Sequence, residues 1–231
     1  MSEQSAFNQS QVAQEAYVEP SGVLDQLNLP PGAIRFIRNN KRTLQFIAAI
    51  VVTAIVVVSL YSSYRKKRLE SAASSLSISM EAEGDAKVTA LEHVVSEFSG
   101  TPSALWATVE LGHIAMKEKD YKKAEANYLL VRDQVSEKNP IYGLLTFGIA
   151  QAREAGQSYE EATSAYDELK KIEGYKDEGY LGMARVLEAQ GQNKKALAVY
   201  EEYLGSFLGE EQNPGATRII KEKIVRLSVQ E

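Results

Sequence analysis

YKKAEANY (121–128), YEEATSAY (159–166) and NKKALAVY (193–200) are three copies of one pattern. Each sets a small residue, Ala124, Ala162 or Ala196, four positions before a tyrosine, Tyr128, Tyr166 or Tyr200. A weaker copy lies upstream, where Ala90 and Val94 follow Gly84-Asp85. The four alanines stand 34, 38 and 34 residues apart. A fixed period of this length marks a repeat architecture whose unit is one supersecondary motif. The small residue lets the second helix of a hairpin close on the first, and the aromatic one turn later fills the gap between neighbouring hairpins.

The residues around the pattern complete the hairpin. Turns precede each alanine at Gly84-Asp85, Lys119-Asp120, Ala155-Gly156-Gln157 and Gly191-Gln192. Leu111-Gly112 precedes Ala124 on a first helix, where glycine permits a close crossing. Phe147-Gly148 takes that place in the next copy, whose turn is then longer by two, and Met183-Ala184 takes it in the last. Pro102 and Pro140 open successive hairpins, with extra loop near Ser136–Asn139. The body after Arg68 lacks strand alternation and is rich in Ala, Leu, Glu and Lys, as helices require. The fold class is all-α.

Composition narrows the function. The 231 residues are 44% hydrophobic and 25% charged, with 26 Lys+Arg against 31 Asp+Glu and no cysteine. Thiolate chemistry, disulfides and zinc ribbons are therefore excluded. Only His93 and His113 remain as imidazoles, too few for a His-rich site, and each reads as solvated or capped. Residues 69–231 carry 18 basic and 27 acidic groups, so this body repels phosphate backbones and nucleic acid is not an expected partner. Glu160-Glu161, Glu201-Glu202 and Glu210-Glu211 are adjacent in sequence, so their side chains diverge by about 100° on a helix and read as solvated faces. No phosphate loop, nucleophile triad or metal spacing occurs, so neither an enzyme nor a cofactor is expected.

The stretch from Thr43 to Tyr64 holds no charge, and LQFIAAIVVTAIVVVSLY (44–61) is almost wholly apolar. Eighteen helical residues rise roughly 27 Å, close to a hydrocarbon core of about 30 Å. The stretch begins over forty residues in and is followed by Arg65, Lys66, Lys67 and Arg68 rather than a cleavage site, so a retained anchor is expected. Residues 1–31 read as a disordered tail with a short amphipathic turn at Gly22–Leu29 that Pro30-Pro31 stops. Residues 32–64 read as an interfacial and transmembrane helix, with Ile34, Phe36 and Ile37 toward lipid and Arg35 and Arg38 toward headgroups. Residues 65–80 read as a basic stalk helix, and 81–231 as the repeat domain. A capping helix starts near Pro214 and buries Ile219, Ile220, Ile224 and Leu227. Four basic residues flank the span on each side, and the orientation adopted is N-terminus in, body out.

The period and the Leu-Gly…Tyr-x-x-Ala-x-x-x-Tyr…Pro pattern resemble tetratricopeptide repeats over roughly residues 70–209, although Ser77-Ile78 replace Leu-Gly in the first copy. A short tail, one anchor near residue 50 and a repeat body also resemble the bacterial YfgM-like family, ancillary subunits of the Sec translocon. That resemblance implies a bacterial inner-membrane protein with a cytoplasmic N-terminus and periplasmic repeats. It further implies contact with the SecYEG channel, with membrane-anchored periplasmic chaperones and with exported polypeptides.

First helices of stacked hairpins line the usual binding face. Counting back from the alanines puts Trp106, Val109, His113 and Met116 on that face, then Tyr142, Leu145 and Ile149, then Leu181 and Arg185. An apolar groove of this kind suits an exposed hydrophobic segment or a partner helix. The expectation is a membrane-tethered, polypeptide-binding scaffold. The rival readings are a cytosol-facing assembly scaffold or receptor, and a non-catalytic subunit of an envelope complex.

Overall fold

A computed structural model describes residues 30–206 and 213–229, and among these it contains helices and their connections but no strand. The expected disordered tail and its turn at Gly22–Leu29 lie outside the described residues. The chain divides into two compact units, Met1–Ser63 and Tyr64–Glu231.

In the first unit, α1 (Pro31–Asn39) starts on a proline at its first turn, where the missing N–H is no loss. Asn40 separates it from α2 (Lys41–Glu81), and the Asn40 side-chain amide donates to the Phe36 carbonyl at 3.0 Å. No residue of α1, and none of α2 up to Ser63, is buried. The Thr53 hydroxyl donates back to the Ala49 carbonyl at 2.8 Å, which satisfies the polar group within its own helix. This stretch is long and apolar enough to cross a membrane by length and composition.

The second unit begins with the remainder of α2. Ala72 and Ser79 are buried there, Leu76 packs into the adjoining core, and the Arg68 guanidinium donates to the carbonyls of Glu97 and Ser99. This part of α2 therefore touches the core that α3 (Gly84–Glu97) forms with the next helix, through Leu76 and Arg68. Three helical hairpins follow: α4 (Pro102–Lys117) with α5 (Tyr121–Arg132), α6 (Ile141–Ala155) with α7 (Tyr159–Leu169), and α8 (Lys176–Ala189) with α9 (Asn193–Gly205). The last helix is α10 (Pro214–Ser228).

Caps fix several starts. The Thr101 hydroxyl accepts from the Ala104 N–H, the Asp120 carboxylate from Lys123, and Asn213 Oδ1 from Gly215 and Ala216. The turns inside the three later hairpins are alike and three residues long: 118–120, 156–158 and 190–192. In each, the middle residue is left-handed: Lys119 at φ 63°, Gln157 at 62° and Gly191 at 71°. The next N–H reaches back five residues, from Asp120 to Ala115, Ser158 to Arg153 and Gln192 to Leu187, at 2.8–2.9 Å. This is the left-handed helix stop that satisfies terminal carbonyls.

Equal turns change the register read from sequence. Gly112 is matched by Ala150 and Ala184, both fully buried, rather than by Gly148. Gly148 and Gly182 serve a different contact, because each faces the tyrosine of the preceding hairpin. A Cβ on Gly148 would lie 3.0 Å from the Tyr128 ring, and one on Gly182 would enter the Tyr166 ring. A Cβ on Gly112 would lie 2.6 Å from Tyr128, so that ring is held between two glycines.

The first copy is shifted as well. Second helices bury pairs three residues apart, Tyr128/Val131, Tyr166/Leu169 and Tyr200/Tyr203, and α3 buries Leu91 and Val94 in the same way. That pairing puts Lys87, not Ala90, in the alanine's place, and Ala90 is only half-buried. Lys87 forms a 2.7 Å ion pair with Glu110 on α4. Glu110 occupies the position that is Gly148 and Gly182 in later copies, where a tyrosine instead of Leu91 must be admitted.

The core is continuous. Each buried cluster draws on three consecutive helices: α2–α3–α4, α4–α5–α6, α6–α7–α8 and α8–α9–α10. Nearest-neighbour stacking of this kind makes stability a sum of local interfaces. In α10, Ala216, Ile220 and Leu227 are buried and Ile224 is packed against them, as a stripe of helical spacing requires. Ile219 stands off that stripe and is exposed, contrary to the expectation that it is buried.

Candidate functional site

The first helices α4, α6 and α8 share one side of the stack, since each second helix packs between two of them and α6 also touches α8. With the corrected register, Trp106 on α4 corresponds to Leu144 on α6 and Glu178 on α8. His113 corresponds to Gln151 and Arg185, and Met116 to Glu154 and Glu188.

The nine residues expected on this face divide three ways. Trp106, His113 and Arg185 are exposed, Trp106 by 47%. Met116, Tyr142 and Leu181 are half-buried. Val109, Leu145 and Ile149 are buried in the core between α4, α5 and α6 and present no surface to a ligand. Leu145 and Ile149 are core because aligning Gly148 with Gly112 displaces the count on α6 by two positions. The face residues there are Leu144, exposed by 37%, and Gln151. The signal that finds them is a constant three-residue turn counted back from each alanine.

Tyr142 belongs elsewhere. It lines a cleft of about 650 Å³ at the edge of the stack, between the 133–140 and 170–175 connections, with Pro140, Ile172 and Tyr175. Its hydroxyl donates to Glu168 at 2.8 Å, and Arg132 pairs with the other Glu168 oxygen at 3.5 Å. The following hairpin repeats this link with different residues. Lys170 pairs with Glu202 at 3.1 Å, and Tyr180 donates to the same oxygen at 2.9 Å. The Lys170 ammonium also sits 4.6 Å from the centre of the Tyr180 ring. Glu202 is therefore a link between second helices rather than a merely solvated carboxylate.

A second set of links joins first helices. Tyr166 donates to Glu154 at 2.6 Å, and Arg185 grips the same carboxylate through Nε and Nη2. Arg185 Nη2 also donates to the Tyr166 hydroxyl at 3.0 Å. One hairpin on, Tyr200 donates to Glu188 at 2.6 Å, and Lys223 and Arg226 of α10 close on that carboxylate. Burial alone would raise the Glu154 and Glu188 carboxyls. The tyrosine and cation hydrogen bonds outweigh it and hold both below their ordinary value. Burial pushes the Tyr166 and Tyr200 hydroxyls up, and the adjacent carboxylates push them further.

The α4–α6 junction has Met116 and Gln151 where these clasps have a carboxylate and an arginine. Tyr128 has no carboxylate in the corresponding place, and burial pushes its hydroxyl up to about 12. Its ring stands 5.7 Å from the His113 ring, and His113 Nδ1 lies 3.4 Å from Glu110. The shared face is thus apolar and unclasped at Trp106, Leu144 and Met116, but charged and clasped at α8. Among the described residues no cluster of His, Asp or Glu is arranged to hold a metal ion.

The crystal structure of a Podosopora anserina kinesin light chain candidate, built of nearly identical tetratricopeptide-like repeats, is similar at 18% identity. The match covers 71% of this chain and 85% of that one, with a TM-score of 0.49. No curated protein matches the chain. The family model of the tetratricopeptide repeat-like domain matches residues 35–229, most of the sequence. The chain belongs to the tetratricopeptide repeat-like family, whose repeats are protein-interaction scaffolds.

Proposed function

We propose that this protein is a membrane-tethered scaffold that binds polypeptides, serving as an accessory of the Sec translocon and the periplasmic chaperone network. The observation that carries the reading is the exposure of Trp106 and Leu144 at matching positions of neighbouring first helices. Large apolar side chains left open in a row are anchors for an apolar segment of another chain. Residues 44–61 would hold that surface beside the bilayer. Tethering raises the effective concentration of the surface for membrane-held partners, so weak intrinsic affinity suffices. The partners on this reading are the SecYEG channel, a membrane-anchored chaperone and emerging exported chains, with the body in the periplasm and the N-terminus in the cytoplasm.

A reporter fused after Glu231 tests the placement. An enzyme active only outside the cytoplasm is expected to work there, and a cytoplasm-only reporter to be silent. The opposite pattern rejects the export reading and leaves the cytosol-facing scaffold or receptor. Protease added to intact spheroplasts gives an independent readout, with the repeat body digested while the inner membrane remains sealed.

A further inference from the structure

We infer that α1 is a membrane-surface helix selective for anionic phospholipid, an inference that rests on the proposal that residues 44–61 cross a bilayer. Ala33, Phe36 and Ile37 fall on one side of the α1 helix by spacing, with Arg35 and Arg38 on the other and Ile34 at the border. Phe36 is 61% exposed, Arg35 and Arg38 are exposed, and Ala33, Ile34 and Ile37 are half-buried, with no residue of α1 fully covered. A nine-residue helix is too short to persist in water by itself. The apolar side therefore requires a cover, and the span that follows fixes which one. Asn40 breaks the helix one residue before α2, and its side chain caps the Phe36 carbonyl, so α1 is a separate element at the start of the anchor. A helix in that position lies at the boundary between headgroups and acyl chains, with its aromatic side inward. Arg35 and Arg38, followed by Lys41 and Arg42, then meet phosphate groups, and planar guanidinium groups grip phosphate by paired hydrogen bonds. Attraction of basic residues to an anionic leaflet supplies the lipid preference.

The chain has no cysteine, so single nitroxide labels are simple to place. Full-length protein carrying Ala33→Cys, Asn39→Cys or Val52→Cys is reconstituted in nanodiscs of phosphatidylglycerol or of phosphatidylcholine. Accessibility to oxygen and to an aqueous nickel chelate is measured by electron paramagnetic resonance. In phosphatidylglycerol the label at 33 is expected to favour oxygen and the label at 39 the chelate. Replacing Arg35 or Arg38 by glutamine lowers the ratio of immersed to free α1 by about fivefold for each arginine. A label at 33 that meets the chelate freely in phosphatidylglycerol overturns the inference, as does equal immersion in both lipids with and without the arginines. The label at 52 separates the two failures. Lipid-shielded at 52 but aqueous at 33, the anchor stands and α1 fails, whereas an aqueous 52 removes the anchor itself.

Discussion

The Arg185 guanidinium grips the Glu154 carboxylate at 2.5 and 2.7 Å, joining α8 to α6 across the face that carries the exposed side chains. The Tyr166 hydroxyl bonds to both partners, so three successive helices share one polar junction. Half of the Arg185 side chain is exposed, which limits the strength of the pair. Glu154→Ala is expected to lower unfolding free energy by about 1–2 kcal/mol, with a coupling to Arg185→Ala of about 1 kcal/mol. Urea titrations of the two single variants and the double variant measure both quantities.

Acid should weaken these junctions in a defined window. Glu154 and Glu188 are held below their ordinary value of 4.5 in the folded chain. A carboxyl depressed by folding contributes stability that is fully present above its unfolded value and is lost as pH falls through the folded value. Stability should therefore be flat from neutrality to about pH 5 on this account and decline in more acidic solution. Glu154→Gln should remove part of that decline, as read from thermal unfolding midpoints against pH.

The glycines that face tyrosines should not be equivalent. Alanine at 182 drives a methyl into the Tyr166 ring, whereas at 148 it only tightens the 3.0 Å approach to Tyr128. Gly182→Ala is expected to cost about 1–3 kcal/mol from overpacking. Gly148→Ala should be close to neutral, since better helix propensity of about 1 kcal/mol offsets the tight contact. Denaturation of the two variants side by side gives the comparison.

The left-handed turn residue offers a stabilising change. Gln157 holds φ 62° where the next copy has Gly191 at 71°. Gln157→Gly should raise unfolding free energy by about 0.5–1 kcal/mol, because glycine takes this conformation without a steric penalty. Failure of calorimetry to show any increase would mean the turn is not held as described.

Much of this architecture is legible in the sequence because alanine at a helix crossing and tyrosine one turn later are forced by packing. Ala124, Ala162 and Ala196 are all fully buried, as the period demands. Register within first helices is less legible, because two small residues compete for the same role. Gly148 stands two positions before Ala150, and only the turn length reveals which one matches Gly112. That ambiguity turns Leu145 and Ile149 into apparent face residues and hides Leu144 and Gln151. The links through Glu154, Glu168, Glu188 and Glu202 were hidden for another reason. Each joins residues 12–38 positions apart on different helices, and of these glutamates only Glu202 stands in an adjacent pair in the sequence.

The missing clasp can be supplied. Met116→Glu with Gln151→Arg should reproduce at α4–α6 the arrangement of Glu154 and Arg185. Slower hydrogen exchange in α4 and α6 of the double variant, with no change in α9 or α10, is the expected result.

Site-specific photo-crosslinking tests the central claim, that the apolar face of the first helices takes up other polypeptides. A photoreactive residue at Trp106 or Leu144 is compared with one at Leu130, which is exposed on a second helix. Crosslinks to many polypeptides in transit from positions 106 and 144, and few from 130, are predicted. Equal crosslinking from all three positions, or none from 106 and 144, would contradict the account.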